Sequence, residues 1–277
     1  ACSAPCRAGR GGEVRIYDPV AGGAALVVID LREEVEALEV FKDPATGEPR
    51  LACGCRDRKV RIFDPVAGGE ALLVIDIGRA SEVWALEVFT DKTGAQRLAC
   101  GSDDKKVRVF DPVAGGEALV VLDVFATALE IFTDPATGAL RLASGSQEGE
   151  VRVFDPVAGG EALVVLEGHT RDVEALTAFV DLATGEPRLV SGSNDATVRV
   201  WNPASGSANE AEPEGHSKAV SALVTFVDPA TGALRVATGS KDKTIRVWDA
   251  ETGGGLLVIE AGDWVRALAA FVDPATG

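Results

Sequence analysis

The sequence predicts an all-β chain of repeated four-stranded antiparallel sheets, and three observations lead there. VRVFDPVAGGEALVV begins at Val107 and begins again, unchanged, at Val151. Relatives of its opening recur along the chain: VRIYDP from Val14, VRIFDP from Val60, VRVWNP from Val198 and IRVWDA from Ile245, at a period of 44 to 47 residues. Between them lie short runs of Val, Ile, Leu and Phe, punctuated by Asp-Pro, Thr-Gly and Gly-Gly, which is the texture of strands and tight reversals.

Each unit opens with a strand, here a, of the form V-x-A-L-x-x-F: VEALEVF from Val35, VWALEVF from Val83, VEALTAF from Val173, VSALVTF from Val220 and VRALAAF from Val265, blurred once to ATALEIF from Ala126. A DPATG-type turn follows, as at Asp43 and Asp134, then strand b, as in RLASGS from Arg141 or RVATGS from Arg235. A charged turn leads to strand c. In VRVF the two Val side chains point one way, and Arg and Phe the other. Gly-Gly then permits a sharp reversal into strand d, EALVV. Both faces of such a sheet need cover, so one unit cannot stand alone, and stacking equivalent sheets radially supplies that cover. Paired helices are the rival, because EVEALEVF has helical propensity. The density of Gly and Pro and the β-branched character of strands c and d argue against them.

The units run 1–30, 31–77, 78–123, 124–168, 169–215, 216–261 and 262–277, the first and last partial, within one expected domain over 1–277. Residues 14–29 supply strands c and d. ACSAPCRAGRGG before them is a poor strand b, and residues 263–277 supply a strand a and half a turn. Together the ends make about one blade. The expectation is a β-propeller of six blades, five complete plus one formed from both termini. The other open reading is a fragment of a seven-bladed ring, favoured by the absence of any Met and by the abrupt final DPATG.

With 277 residues, 46% of them hydrophobic but only 5% aromatic, the core must be mostly aliphatic. The net charge of -16 disfavours nucleic acid as a partner. Five cysteines, an odd number, argue against a disulfide framework and for a reducing, cytoplasmic setting, with the nucleus as alternative. Cys53 and Cys55 lack a nearby His or second Cys pair, so neither a metal nor a cofactor is expected. No apolar run reaches membrane-spanning length, so no membrane partner is expected.

The units GHTRDVEALTAF…RLVSGSNDATVRVWN and GHSKAVSALVTF…RVATGSKDKTIRVWD resemble the WD40-repeat family, and the resemblance extends over nearly the whole chain. It implies a network of His169, Ser191, Asp195 and Trp201 in one blade, and of His216, Thr238, Asp242 and Trp248 in the next. The chemistry fits a structural role: a neutral His donates through one ring nitrogen and accepts through the other, Asp orients it, and indole N–H adds a donor. Both sets recur at equal offsets, which a unique catalytic site would not need. Other units depart from the pattern. Phe63, Phe110, Phe154 and Tyr17 replace the Trp, their Gly-His pairs are absent, and Glu148 stands where Asp is expected.

The resemblance further implies that the d–a and b–c connections share one face. Candidate partner-binding residues there are Trp84, Trp264, Arg266, Arg79, Arg56, Arg58, Lys105 and Lys241, with Arg171 and Lys218 on the same class of loop. The second position of strand a varies as Glu36, Trp84, Thr127, Glu174, Ser221 and Arg266, which suggests a differentiated surface. The strand-c arginines Arg15, Arg61, Arg108, Arg152, Arg199 and Arg246 are expected to snorkel and pair locally with acids. NPASGSANEAEPEGH has lost the apolar residues of strand d, so that strand should be short or frayed. The expected function is a non-enzymatic, monomeric scaffold that binds a protein or peptide. A regulatory or sensing module of a larger multidomain protein is one alternative. A propeller enzyme is the other. It would need a unique catalytic cluster, for which the carboxylates Glu36 and Glu174 are the sole candidates.

Overall fold

The computed structural model describes residues 6–8, 12–78, 82–209 and 215–270. Among these every regular element is a strand, and the strands form blade-like antiparallel sheets of the β-propeller class. The chain divides into two compact units, residues 1–126 with 157–159, and residues 127–156 with 160–277.

The first compact unit holds three sheets. The first is β1 (Cys6–Ala8), β2 (Glu13–Ile16) and β3 (Val27–Asp30), in that order. The poor strand-b candidate therefore does form a strand, with Cys6 opposite Ile16 and Ala8 opposite Val14. The second comprises β4 (Val35–Lys42), β5 (Pro49–Cys55), β6 (Lys59–Phe63) and β7 (Leu73–Asp76). The third comprises β8 (Val83–Thr90), β9 (Gln96–Ser102), β10 (Lys106–Phe110) and β11 (Val120–Leu122). In each four-stranded sheet consecutive strands are neighbours, so the a–b and c–d turns lie at one end and the b–c and d–a connections at the other.

The second compact unit repeats the plan three times. Its sheets are β12 (Ala128–Thr133), β13 (Leu140–Gly145), β14 (Val151–Phe154) and β15 (Val164–Leu166); then β16 (Val173–Val180), β17 (Pro187–Ser193), β18 (Val198–Asn202) and β19 (Ser207–Asn209); then β20 (Val220–Val227), β21 (Leu234–Ser240), β22 (Thr244–Asp249) and β23 (Gly255–Glu260). β19, the strand expected to be short, has three residues, and 210–214 after it lie outside the described residues.

Strand alternation sets the core. In β6, Val60 and Ile62 are buried and Arg61 between them is half-buried. Between the second and third sheets, Ile62, Ile75 and Ile77 pack with Val83, Leu98 and Phe110. Between the fourth and fifth, Val151, Val153 and Leu166 pack with Val173, Leu189 and Trp201.

One inter-sheet contact recurs. A Cβ built at Gly54 would meet Val83 Cγ1 at 2.6 Å, one at Gly145 would meet Val173 Cγ1 at 2.7 Å, and one at Gly192 would meet Val220 Cγ1 at 2.7 Å. The strand-b glycine is thus a notch for the first residue of the next strand a. Gly192→Ala should overpack the notch and cost about 2 kcal/mol. Adding Val220→Ala should restore much of the loss in a thermal melt.

The last unit uses the same notch without completing its strand. Val265 is buried against Gly239, and its N–H donates to the Ser240 carbonyl at 3.1 Å. Residues 263–270, expected to run as strand a, are nevertheless irregular. A strand needs a ladder partner, and among the described residues none pairs with this segment.

Candidate functional site

The fifth and sixth sheets each carry a closed polar network. His169 Nδ1 lies 3.0 Å from Asp195 Oδ2, and His169 Nε2 lies 2.7 Å from Ser191 Oγ. Trp201 Nε1–H donates to the same Ser191 Oγ at 2.7 Å. Because Ser191 accepts from the indole, its own proton goes to His169 Nε2, which fixes the neutral tautomer with the hydrogen on Nδ1. The second network places His216 Nδ1 2.9 Å from Asp242 Oδ2 and His216 Nε2 2.7 Å from Thr238 Oγ1, and Trp248 Nε1 donates to Thr238 at 3.0 Å. Ser and Thr thus perform one task at equivalent positions.

A fifth member was not foreseen. Thr197 Oγ1 donates to Asp195 Oδ1 at 2.6 Å and lies 2.9 Å from His169 Nδ1, and Thr244 stands in the same relation to Asp242 and His216. The signal was present as Asp-x-Thr in NDATVRVW and KDKTIRVW, while RDRKVRIF and DDKKVRVF lack the Thr. Burial lowers both histidine pKa values below 6.5, against the raising influence of the paired Asp. Burial works to raise Asp195, but hydrogen bonds from Thr197 and from the Thr170 backbone outweigh it and hold the carboxyl at about 2. The networks are therefore built for neutral His beside ionised Asp.

The same aspartate changes partner in the sheets without His. Asp57 pairs with Arg61 at 2.5 Å and Asp104 with Arg108 at 2.5 Å, each four residues apart. Asp195 and Asp242 also stand four residues before an Arg, but the His and Thr take them, and Arg199 and Arg246 lie 6.0 Å over the Trp201 and Trp248 rings. Where Glu148 replaces that Asp, Arg152 turns to Glu150 at 2.7 Å, and Arg15 uses Glu13 at 2.7 Å. The strand-c arginines thus serve local pairing or stacking.

The variable second position of strand a has a geometric cause. The register slips between Val35 and Ala37, Val83 and Ala85, Val173 and Ala175, and Val220 and Ala222. Glu36, Trp84, Glu174 and Ser221 are the extra residues of β-bulges, which leave the ladder and re-aim the side chain. Two second-position hydroxyls serve as straps: Thr127 Oγ1 donates to the Val173 carbonyl at 2.5 Å and Ser221 Oγ to the Val265 carbonyl at 2.7 Å. Glu174 accepts from Asn194 Nδ2 at 2.6 Å. Glu36 lies 3.5 Å from Arg56, and burial, with Glu34 nearby, raises its pKa. Glu36 and Glu174 fall in different compact units.

The partner candidates separate into engaged and displayed groups. Arg56 bridges Glu34 at 2.6 Å and Glu82 at 2.8 Å, tying the second sheet to the connection that enters the third. Lys241 Nζ donates to Asn194 Oδ1 at 3.3 Å. Trp84 is half-buried, and its buried indole N–H has no hydrogen-bond partner among the described residues. By contrast, Trp264 is 50% exposed with Arg266 stacked 5.6 Å over its ring, and Arg58 and Lys105 stand exposed at left-handed turn positions, φ 71° and 61°. Arg79 lies outside the described residues.

The d–a loops of the fifth and sixth sheets are fixed by their backbones. Thr170 N–H donates to Asp195 at 2.9 Å, and the Arg171 carbonyl accepts from Ser193 Oγ at 3.1 Å. Ser217 N–H donates to Asp242 at 3.0 Å, and the Lys218 carbonyl accepts from Ser240 Oγ at 3.0 Å. Between these loops lies an open cavity of about 500 Å³, lined by Thr170, Arg171, Asn194, Ala196, Ser217 and Lys218 among others.

The model of the WD domain, G-beta repeat, matches residues 160–202 and 209–249, the two stretches that hold the networks. A search of curated proteins returned no match. The chain is similar to the crystal structure of the computationally designed Ika8 protein, with 29% identity and a TM-score of 0.67 over 97% of this chain and 74% of that one. Matched repeats, paired networks and blade-like sheets agree, and residues 160–202 and 209–249 are two WD40 repeats.

Proposed function

We propose that the chain is a non-enzymatic scaffold that binds a protein or peptide on the sheet end carrying the d–a and b–c connections. WD40 repeats generally mediate protein–protein interaction, which supports the class. The carrying observation is the division of labour in the fifth and sixth sheets: buried networks fix the loop backbones while Arg171 and Lys218 remain exposed. Rigid mounting of outward side chains suits recognition. The Ser–His–Asp sets do not suit hydrolysis. Ser191 is fully buried and its oxygen already accepts from Trp201, so no substrate carbonyl can reach it. Cys53, Cys55 and Cys100 are buried, and burial pushes the Cys55 thiol up to about 11, so it is a poor nucleophile.

A photo-crosslinking residue placed at Arg58 or Lys218, on the recognition end, should yield protein adducts in cell extract. The same residue at Ala136 or Ala183, in the a–b turns of the opposite end, should yield few. A reversed pattern would overturn the reading.

A further inference from the structure

We infer that the cavity between the d–a loops of the fifth and sixth sheets receives an anionic side-chain group of an extended peptide, a phosphorylated serine or threonine or a glutamate. The inference deepens the scaffold reading and rests on it.

Four observations support it. First, the chain has a net charge of -16, and nine of its nineteen arginines, Arg15, Arg50, Arg56, Arg61, Arg97, Arg108, Arg152, Arg188 and Arg235, each lie against a carboxylate. Arg171 and Lys218 line the cavity, and neither has a carboxylate within ion-pair distance among the described residues. Two unspent cations at one cavity of an acidic protein form a focused positive site.

Second, both cations sit on the loops that the networks immobilise, each held by a backbone N–H on one side and a carbonyl on the other. The two sheets with complete networks are consecutive, and the cavity lies between their loops.

Third, the turn residue at the cavity wall is small. The equivalent left-handed position holds Arg58, Lys105 and Lys243 in three sheets and Gly12 and Gly149 in two, and here it holds Ala196 at φ 70°. A β-carbon in this conformation carries strain, which is tolerated where the surroundings enforce it. The short side chain leaves open the volume that a long one would occupy.

Fourth, the carboxylate that lines the cavity is spent, and so is Glu174 beside it. Asp195 also lines the cavity, but its oxygens receive Thr170 N, Thr197 N, Thr197 Oγ1 and His169 Nδ1. Glu174 is taken by Asn194, whose amide oxygen in turn holds the Lys241 ammonium at the rim. The Thr170 and Ser217 hydroxyls add hydrogen-bonding groups to the wall. A phosphate in this setting gains charge-assisted hydrogen bonds from two cations mounted on held loops. The cavity admits one side chain with its flanking backbone. A nucleic acid would bring many phosphates to an acidic protein and be repelled at range.

The test is an amide-resolved NMR titration of the full chain with four probes: acetyl-Gly-Ala-phosphoserine-Ala-Gly-amide, the same peptide with Glu, the same with Ser, and a thymidine decanucleotide. The phosphopeptide should give saturable shifts at Thr170, Arg171, Ser217 and Lys218. The Glu peptide should bind more weakly and the Ser peptide not at all. Arg171→Ala with Lys218→Ala should weaken phosphopeptide binding about a hundredfold, about tenfold per charge-assisted contact. Arg58→Ala with Lys105→Ala, which removes as much charge elsewhere, should leave it unchanged. Non-saturating shifts, equal shifts around Arg58 and Lys105, binding that survives the cavity variant, or preference for the oligonucleotide would each overturn the assignment. If the peptides fail while crosslinks at Lys218 persist, the scaffold reading stands and this inference falls. If both fail, both fall.

Discussion

Ser191→Ala is expected to destabilise the second compact unit by about 4 kcal/mol, whereas Ser191→Thr should be nearly neutral. Ser191 Oγ is the single atom that joins Trp201 Nε1 to His169 Nε2, and all three are buried. Removing it orphans a donor and an acceptor together. Each unsatisfied buried group costs about 1–3 kcal/mol, more than a hydrogen bond gains in the exchange with water. The methyl-bearing variant is safe because Thr238 already does this work in the sixth sheet, with its Oγ1 between His216 and Trp248. Paired thermal melts of the two variants at neutral pH check this. A small loss for the alanine variant would mean that water enters and replaces the hydroxyl.

The same network sets an acid limit. The folded-state pKa of His169 lies below 6.5, so its contribution is complete above that value and is lost as pH falls. Asp195, held at about 2, contributes above 3.8 and loses its share as pH falls through about 2. Acid therefore attacks the fifth and sixth sheets first at the imidazoles and then at the carboxylates.

Much of this was legible in the sequence because repeats compare a chain with itself. The offset between His169 and Asp195 recurs between His216 and Asp242, which marks both as scaffold. The bulges were not legible. Glu36, Trp84, Glu174 and Ser221 read as an ordinary alternating position, and only the pairing across to β5, β9, β17 and β21 reveals that each is an extra residue. The exchange of Asp between Arg and His was half legible: the four-residue spacing to Arg is present in four units, but which partner wins depends on a His more than twenty residues upstream. Arg56 and Lys241 read as displayed charges because their partners, Glu82 and Asn194, belong to neighbouring units and share no local pattern with them.

Glu39→Gln should raise the stability of the first compact unit at pH 8 by about 3 kcal/mol and leave it nearly unchanged at pH 4. Glu39 sits mid-strand in β4, opposite Ala52, where alternation and burial leave its carboxyl little water. Burial pushes its pKa up from 4.5 to about 7, with the Val40 backbone N–H pulling weakly the other way. For an acid with a raised folded-state pKa, the fold binds the proton more tightly than the unfolded chain does, so stability falls as pH rises from 4.5 to about 7 and is level above. That separation corresponds to about 3 kcal/mol, carried by the wild-type chain at pH 8 and absent from the isosteric amide. The equivalent residue of the fourth sheet shows how the cost is met elsewhere: Glu130 Oε1 accepts the Ala178 backbone N–H of the next sheet at 3.0 Å. Denaturant melts of both proteins across pH 4 to 8 should therefore converge at low pH and separate as Glu39 ionises. Parallel curves would show that its carboxylate is solvated or paired when the fold is intact.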